Sequence, residues 1–181
     1  MAGHETVKTL QDLGTWNMAG TKLVTLDAEN VMTPYGEPTL FDGVLDWIKQ
    51  RQSDDVNVAV ATNNKDPEFV AVLEEELEEL TTHVPVFSGL NLPNKKKSPD
   101  MFIAAADYFK VAPADAAHVD DQFLSLRGAR MAGFGRLILA KPVGPNAHKG
   151  VKLGRSLDAA ARGIIGFSQG VRHFATDGID G

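Results

Sequence analysis

Asp27-Ala28-Glu29 sets two carboxylates one residue apart, directly behind the apolar run Lys22-Leu23-Val24-Thr25-Leu26. Three more polar clusters follow along the chain. Thr62-Asn63-Asn64 comes after Val56-Asn57-Val58-Ala59-Val60-Ala61, Lys95-Lys96-Lys97 precedes Ser98-Pro99, and Asp120-Asp121 comes after Ala116-Ala117-His118-Val119. Together these residue types suit phosphoryl transfer through an acyl phosphate. One carboxylate attacks as nucleophile, and a second acid protonates the leaving oxygen. A hydroxyl, an amide and a cation hold the phosphoryl oxygens. Further carboxylates hold Mg²⁺, which prefers oxygen ligands.

Polar groups so far apart in the chain act together only if regular elements bring their ends to one place. The runs before three of the clusters are apolar and rich in β-branched residues, as central parallel strands are. Strands are expected at 22–26, 56–61, 84–87, 116–119 and 136–140. Apolar spacing predicts helices over 39–51, with Leu40, Val44, Leu45, Trp47 and Ile48 inward, and over 66–80, with Phe69, Val70, Val72 and Leu73 inward. A third helix starts behind Ser98 as N-cap with Pro99 at its first position, and a fourth follows Asp121 and stops near Gly133. Val7, Leu10 and Leu13 predict a short helix over 5–14, and one more helix is expected at 156–166. Two prolines and a glycine make 31–38 a loop. Strands and helices alternating five times imply an α/β fold, a doubly wound three-layer α/β/α sandwich around a central parallel sheet with right-handed crossovers. Ligands of such sheets bind outside the carboxyl ends of the strands, where all four clusters would lie.

The order Asp-x-Glu, Thr-Asn, a Lys at the mouth of a helix and Asp-Asp resembles the haloacid dehalogenase (HAD) superfamily over roughly residues 20–142. Asp27-Ala28-Glu29-Asn30-Val31, Thr62-Asn63-Asn64 and Asp120-Asp121-Gln122 are similar in particular to its capless subclass IIIA. There they resemble the YqeG-like branch that includes phosphatidylglycerophosphate phosphatases, which reads Asp-x-Asp-Asn-Thr, Ser-Asn-Asn and Gly-Asp-Gln. Arg130-Met131-Ala132-Gly133 and Lys141-Pro142-Val143 also fit. The resemblance implies an HAD-like Rossmannoid fold without a cap domain and a Mg²⁺-dependent phosphatase. Asp27 would be the nucleophile that forms an aspartyl phosphate, and Glu29 the general acid and base. Thr62, with the Asn63 backbone, would bond the phosphoryl oxygens. Lys96 would be the phosphate-binding lysine, because Lys96-Lys97-Ser98-Pro99-Asp100-Met101-Phe102 is similar to the family's Lys-Pro-x-Pro-x-x-Phe; Lys95 and Lys97 are the fallback choices. Mg²⁺ would be held by Asp27, the Glu29 backbone carbonyl and Asp121, with Asp120 as a further candidate.

Three departures from the family pattern stand out. Glu29 replaces the usual Asp, and one extra methylene moves the carboxyl by about 1 Å, a misplacement that can cost on the order of 100-fold. Val31 replaces Thr, and the second acid of the fourth motif falls near Ser125 or Leu126, where no carboxylate exists. They motivate an alternative, a weak or inactive HAD-fold binding or regulatory module. HAD caps are inserted after the first or the second motif. The segments from 27 to 62 and from 62 to 96 leave no room for one beyond a helix and a strand. The resemblance therefore implies an open site and a phosphate presented by a lipid, protein, nucleic acid or bulky sugar, with a phosphatidylglycerophosphate-like substrate as the first guess. A receiver domain also gathers acids, a Thr and a Lys around Mg²⁺. Its acidic pair follows the first strand and its Lys the fifth, whereas here the Lys precedes the acidic pair.

Each cluster has an ordinary reading when taken alone. Asp27 and Glu29 could belong to an acidic loop, Thr62 and Asn63 could cap a helix, Lys95 to Lys97 could be a solvated run, and Asp120-Asp121 could cap the following helix. Four matching strand ends in the right order outweigh those readings. The five histidines show no metal-ligand spacing, and His118 reads as a strand residue. The chain has 181 residues, net charge −6 and no cysteine. These values suit one globular domain, give no strong nucleic-acid signal, and exclude a disulfide framework and a thiolate metal site. Neither a signal peptide nor an apolar run long enough to span a membrane is visible, so a cytoplasmic protein is expected. The expected organisation is an N-terminal extension at 1–20, a catalytic domain at 21–142 and a basic C-terminal segment at 143–181. That last segment could reach an anionic membrane surface and make the protein membrane-peripheral.

Overall fold

The computed structural model describes residues 4–7 (backbone only), 10, 19–92, 96 and 98–140. The expected helix at 156–166, the basic tail, Lys95 and Lys97 lie outside the described residues. Six strands and four α-helices follow in the order β1 (His4–Val7), β2 (Leu23–Leu26), α1 (Val44–Ser53), β3 (Asn57–Thr62), α2 (Pro67–Leu77), β4 (Val86–Ser88), α3 (Asp100–Phe109), β5 (Ala116–Asp120), α4 (Phe123–Met131) and β6 (Arg136–Ala140). All strand pairs are parallel, and the sheet runs β1-β6-β5-β2-β3-β4. The α/β sandwich predicted from the alternation is the observed fold.

Side chains of a strand alternate between the two faces of its sheet, and here each face meets its own helices. Val24, Leu26, Val58 and Val60 pack with Trp47 and Ile48 of α1 and with Phe69 and Leu73 of α2. Leu23, Ala59, Ala61, Leu137 and Leu139 pack with Met101 and Phe102 of α3 and with Leu126 and Ala129 of α4. Burial on both faces explains why these strands read as apolar runs without a polar side.

The N-terminal expectation fails. Residues 4–7 form a strand, not the start of a helix, and His4 pairs with Leu137 and Val7 with Ala140 on β6. The sheet thus has six strands, one more than the alternation gave. Other boundaries shift for local reasons. Gly43, at φ 81°, delays α1 to Val44 although apolar spacing begins at Leu40. β4 starts at Val86 because Pro85 has no N–H to give the ladder, while its carbonyl still accepts from Val60 N at 3.0 Å. Pro99 occupies the cap position of α3, and Ser98 Oγ accepts from Asp100 N at 3.4 Å. Among the described residues no helix is long and apolar enough to cross a membrane.

The chain moves from β2 outward to β3 and β4, then crosses back to β5 on the other flank of β2. That reversal opens a crevice beyond the carboxyl ends of β2 and β5, and the acidic residues lie there.

Candidate active site

Asp27 is the first residue past β2. Its N–H still donates to Val119 O of β5 at 2.9 Å, so the two strand ends are tied together where the acids begin. Behind it the chain doubles back. Ala28 O accepts from Met32 N at 2.8 Å and Thr33 N at 2.9 Å, and Asn30 takes a left-handed φ of 64° that Asn tolerates. This turn aims the Asn30 amide at β5, where Nδ2 donates to Asp121 Oδ2 at 3.1 Å. Asp27, Asp120 and Asp121 are all buried, and one carboxylate oxygen from each lies within 4.8 Å of the others.

Lys96 bridges two of these acids. Its Nζ is 2.6 Å from Asp27 Oδ1 and 2.6 Å from Asp120 Oδ2, and its side chain is 2% exposed. Ala28 N–H adds a 2.8 Å bond to the same Asp27 oxygen. Asp120 has further partners: Gln122 N donates to Oδ1 at 2.7 Å, and His118 Nε2 lies 3.3 Å from Oδ2. On its other side His118 Nδ1 meets Thr25 Oγ1 at 2.9 Å and Thr25 O at 3.0 Å, and Phe102 packs edge-on against the ring.

Burial and charge divide the acids unequally. Burial, then the charge of Asp120, holds the Asp27 carboxyl well above the usual carboxylate range despite Lys96. Burial also works against the charged form of Asp120, but Lys96 and His118 outweigh it and pull that carboxyl down. For Lys96 the burial penalty is more than offset by Asp120 and Asp27, so its ammonium persists above the ordinary lysine range. Burial pushes His118 down, toward the neutral ring. Three carboxylates face one ammonium, and an oxygen-only donor set of that charge suits a hard divalent cation.

Of the residues expected from sequence, Asp27, Lys96, Asp120 and Asp121 come together. Thr62 ends β3 beside β2, buried, with Oγ1 accepting from Asn64 N at 3.1 Å. Asn63 is turned to the lysine: its Oδ1 accepts from Lys96 N at 2.7 Å. The Glu29 carboxylate is held outside the acidic group, accepting from Gly36 N at 2.9 Å in the loop after β2. Two residues of the site carried no expectation. Asn30 braces Asp121, and His118 braces Asp120. His118 had a usable signal, since it stands two residues before Asp120 on one strand and so shares its face.

A model of the haloacid dehalogenase-like hydrolases matches residues 3–133. The chain belongs to that family. The matched segment runs from β1 to the end of α4 and contains the whole acidic group. A curated relative, a phosphoglycolate phosphatase of Nitrosococcus oceani, is 33% identical over 95 residues, which are 52% of this chain and 42% of that protein. Two solved structures share the HAD-like fold. One is a D,D-heptose 1.7-bisphosphate phosphatase from B. bronchiseptica complexed with magnesium and phosphate (TM-score 0.54, 21% identity, 64% of this chain and 79% of that one). The other is a HAD-superfamily hydrolase of subfamily IA from Geobacter sulfurreducens (TM-score 0.53, 14% identity, 70% and 90%).

Proposed function

We propose that this HAD-like hydrolase is a phosphatase that cleaves a phosphomonoester through an aspartyl phosphate on Asp27. The observation that carries this reading is the contact of the buried Lys96 ammonium with both Asp27 and Asp120, 2.6 Å each, at the end of β2. A nucleophilic carboxylate and the cation that receives phosphoryl oxygens thus share one crevice. Asp27 Oδ1 is engaged by Ala28 N–H and Lys96, so Oδ2 attacks phosphorus. The Oδ2–P bond forms as the bond from phosphorus to the leaving oxygen breaks, and Glu29, once its carboxylate leaves Gly36 N and turns into the crevice, gives that oxygen its proton. Water then attacks phosphorus, Glu29 takes back a proton, and the P–Oδ2 bond breaks to release phosphate and the Asp27 carboxylate. Lys96 and the Thr62 hydroxyl hold the phosphoryl oxygens while their charge redistributes. Asp27, Asp121 and the Glu29 backbone carbonyl would hold Mg²⁺, with Asp120 beside them. When bound, the ion offsets the repulsion between an anionic nucleophile and an anionic substrate.

The substrate reading is a bulky phosphomonoester in the manner of the capless, YqeG-like branch, phosphatidylglycerophosphate-like first. It is supported by the short connections: α1 is the one helix between β2 and β3, and α2 the one helix between β3 and β4. The Nitrosococcus relative, a phosphoglycolate phosphatase, makes phosphoglycolate the small-molecule comparator. The catalytic domain would be residues 21–142 completed by β1 from the N-terminal extension, working in the cytoplasm. The basic segment 143–181 would be the element that meets an anionic surface.

A second reading, a non-catalytic binding module, is favoured by one contact, the Glu29 carboxylate bonded to Gly36 N. The deciding experiment is hydrolysis of an aryl phosphate by wild type and Asp27→Asn, with and without Mg²⁺. Turnover that needs the metal and vanishes in Asp27→Asn supports the phosphatase and leads to a panel of phosphoglycolate, sugar phosphates and lipid phosphate vesicles. Mg²⁺ binding without turnover supports the module.

A further inference from the structure

We infer that Asn63 and Gly128 form a clamp that positions Lys96. This rests on the phosphatase reading for its catalytic consequence, but not for its geometry. Lys96 stands four positions before the first residue of α3, outside any helix or strand, yet its ammonium must meet two carboxylates at 2.6 Å. Its backbone is held at both ends. Asn63, directly after β3, accepts from Lys96 N at 2.7 Å. On the opposite side α4 lies so close that a Cβ at Gly128 would fall 1.9 Å from Lys96 O, 2.5 Å from Ser98 O and 2.8 Å from Phe102 Cε2.

Gly128 is not needed for a left-handed backbone, because it is not among the positive-φ glycines. A glycine inside a helix weakens it relative to alanine, so what this one provides is the close approach of α4 to the Lys96 carbonyl. The backbone nitrogen and Nζ of one residue are thereby held by Asn63 after β3 and by the acids at the ends of β2 and β5, while α4 packs directly against its backbone oxygen. Both carbonyls that Gly128 approaches are main chain, so a methyl group there displaces the segment carrying Lys96 and cannot be absorbed by a side-chain rotation.

The test has two arms. The first reads position without reference to activity. Amine-reactive labelling of the whole chain is quantified at each lysine by mass spectrometry after chymotryptic cleavage, with the exposed Lys22 as internal standard. Labelling of Lys96 relative to Lys22 is expected to rise at least about fivefold in Asn63→Leu and in Gly128→Ala, as the buried ammonium gains access to open states. No change at Lys96 in either folded variant overturns the clamp. The second arm is a double-mutant cycle on aryl phosphate hydrolysis. Asn63→Leu is expected to lower kcat/KM by about 100-fold, the cost of a misplacement near 1 Å, but to cost nothing further in a Lys96→Met background. A loss that persists without the Lys96 side chain means that Asn63 touches substrate itself or is merely structural, and overturns the positioning role. If Asn63→Leu does not fold, Asn63→Ala, smaller but equally without an acceptor, takes its place. Wild type without turnover, but with labelling that rises as expected, sinks the phosphatase reading and leaves the clamp standing.

Discussion

At the scale of single residues, the two carboxylates of Asp27-Ala28-Glu29 have opposite surroundings and should fail differently. Asp27→Asn keeps an oxygen for Ala28 N–H and Lys96 but removes the proposed nucleophile. Turnover should fall by at least about 1000-fold, as when other covalent nucleophiles are removed, while the thermal midpoint changes little. Glu29→Gln removes the proposed proton donor, so on the phosphatase reading the loss should depend on the leaving group. Alkyl phosphates need protonation of the departing oxygen, and their kcat should drop by roughly 100-fold or more. A nitrophenyl ester, whose leaving group departs as an anion, should lose far less. Equal losses on both esters would remove Glu29 from acid catalysis and fit the carboxylate that rests on Gly36 N. The acids were legible because they follow apolar runs, and Lys96 because it stands just ahead of the Ser98-Pro99 helix start. Side-chain direction was not: the sequence cannot say that Glu29 turns to Gly36 or that Asn63 spends its oxygen on Lys96 N, since both depend on loops folded against distant elements.

At the scale of elements, the strands buried on both faces were legible almost residue by residue, and 136–140 was read with its observed limits. The N-terminal strand was not. Val7, Leu10 and Leu13 satisfy helical spacing, whereas pairing with β6 is a contact across almost the whole described chain that no local window carries. The junction before β6 gives a prediction of its own. A Cβ on Gly135 would lie 2.0 Å from Ala114 O, and Gly135 N donates to Pro113 O at 3.2 Å. Gly135→Ala must therefore push β6 and the short 3₁₀ turn Pro113–Asp115 apart. Overpacking of this kind costs about 1–3 kcal/mol, to be read as a lower urea midpoint with an unchanged slope. Gly135 precedes β6, at the edge of the parallel sheet opposite the acids, so kcat per folded molecule should stay at the wild-type value. A fall in kcat/KM of the order expected for Asn63→Leu, about 100-fold, would mean that the two edges of the sheet are coupled.

At the scale of the whole molecule, the site sets a charge problem that the fold must solve. Three buried carboxylates cluster together, and one buried ammonium pairs with two of them; a protein has only marginal stability from which to meet such a desolvation cost. Lys96 is the solution that the chain carries within itself. Removing it by Lys96→Met leaves Asp27 and Asp120 without their counter-charge, and breaking a buried pair in this way costs about 3–5 kcal/mol. A divalent cation would be the other solution, and on binding it would add stability by mass action, about 2.7 kcal/mol at a hundred times its dissociation constant. The two cations would also repel each other across the same cluster. Mg²⁺ should therefore raise the thermal midpoint of wild type, and raise that of Lys96→Met by more, because the ion both binds and replaces the missing charge without opposition from an ammonium. Scanning calorimetry of both proteins in EDTA and across a Mg²⁺ titration measures the two increments. Equal increments would separate the metal from the Lys96 cluster; a larger one in Lys96→Met would mean that lysine and metal act on one charge balance. In that case Lys96→Met would keep its fold in Mg²⁺ yet lose turnover, since the replacement ion would restore charge but not the ammonium proposed to hold a phosphoryl oxygen.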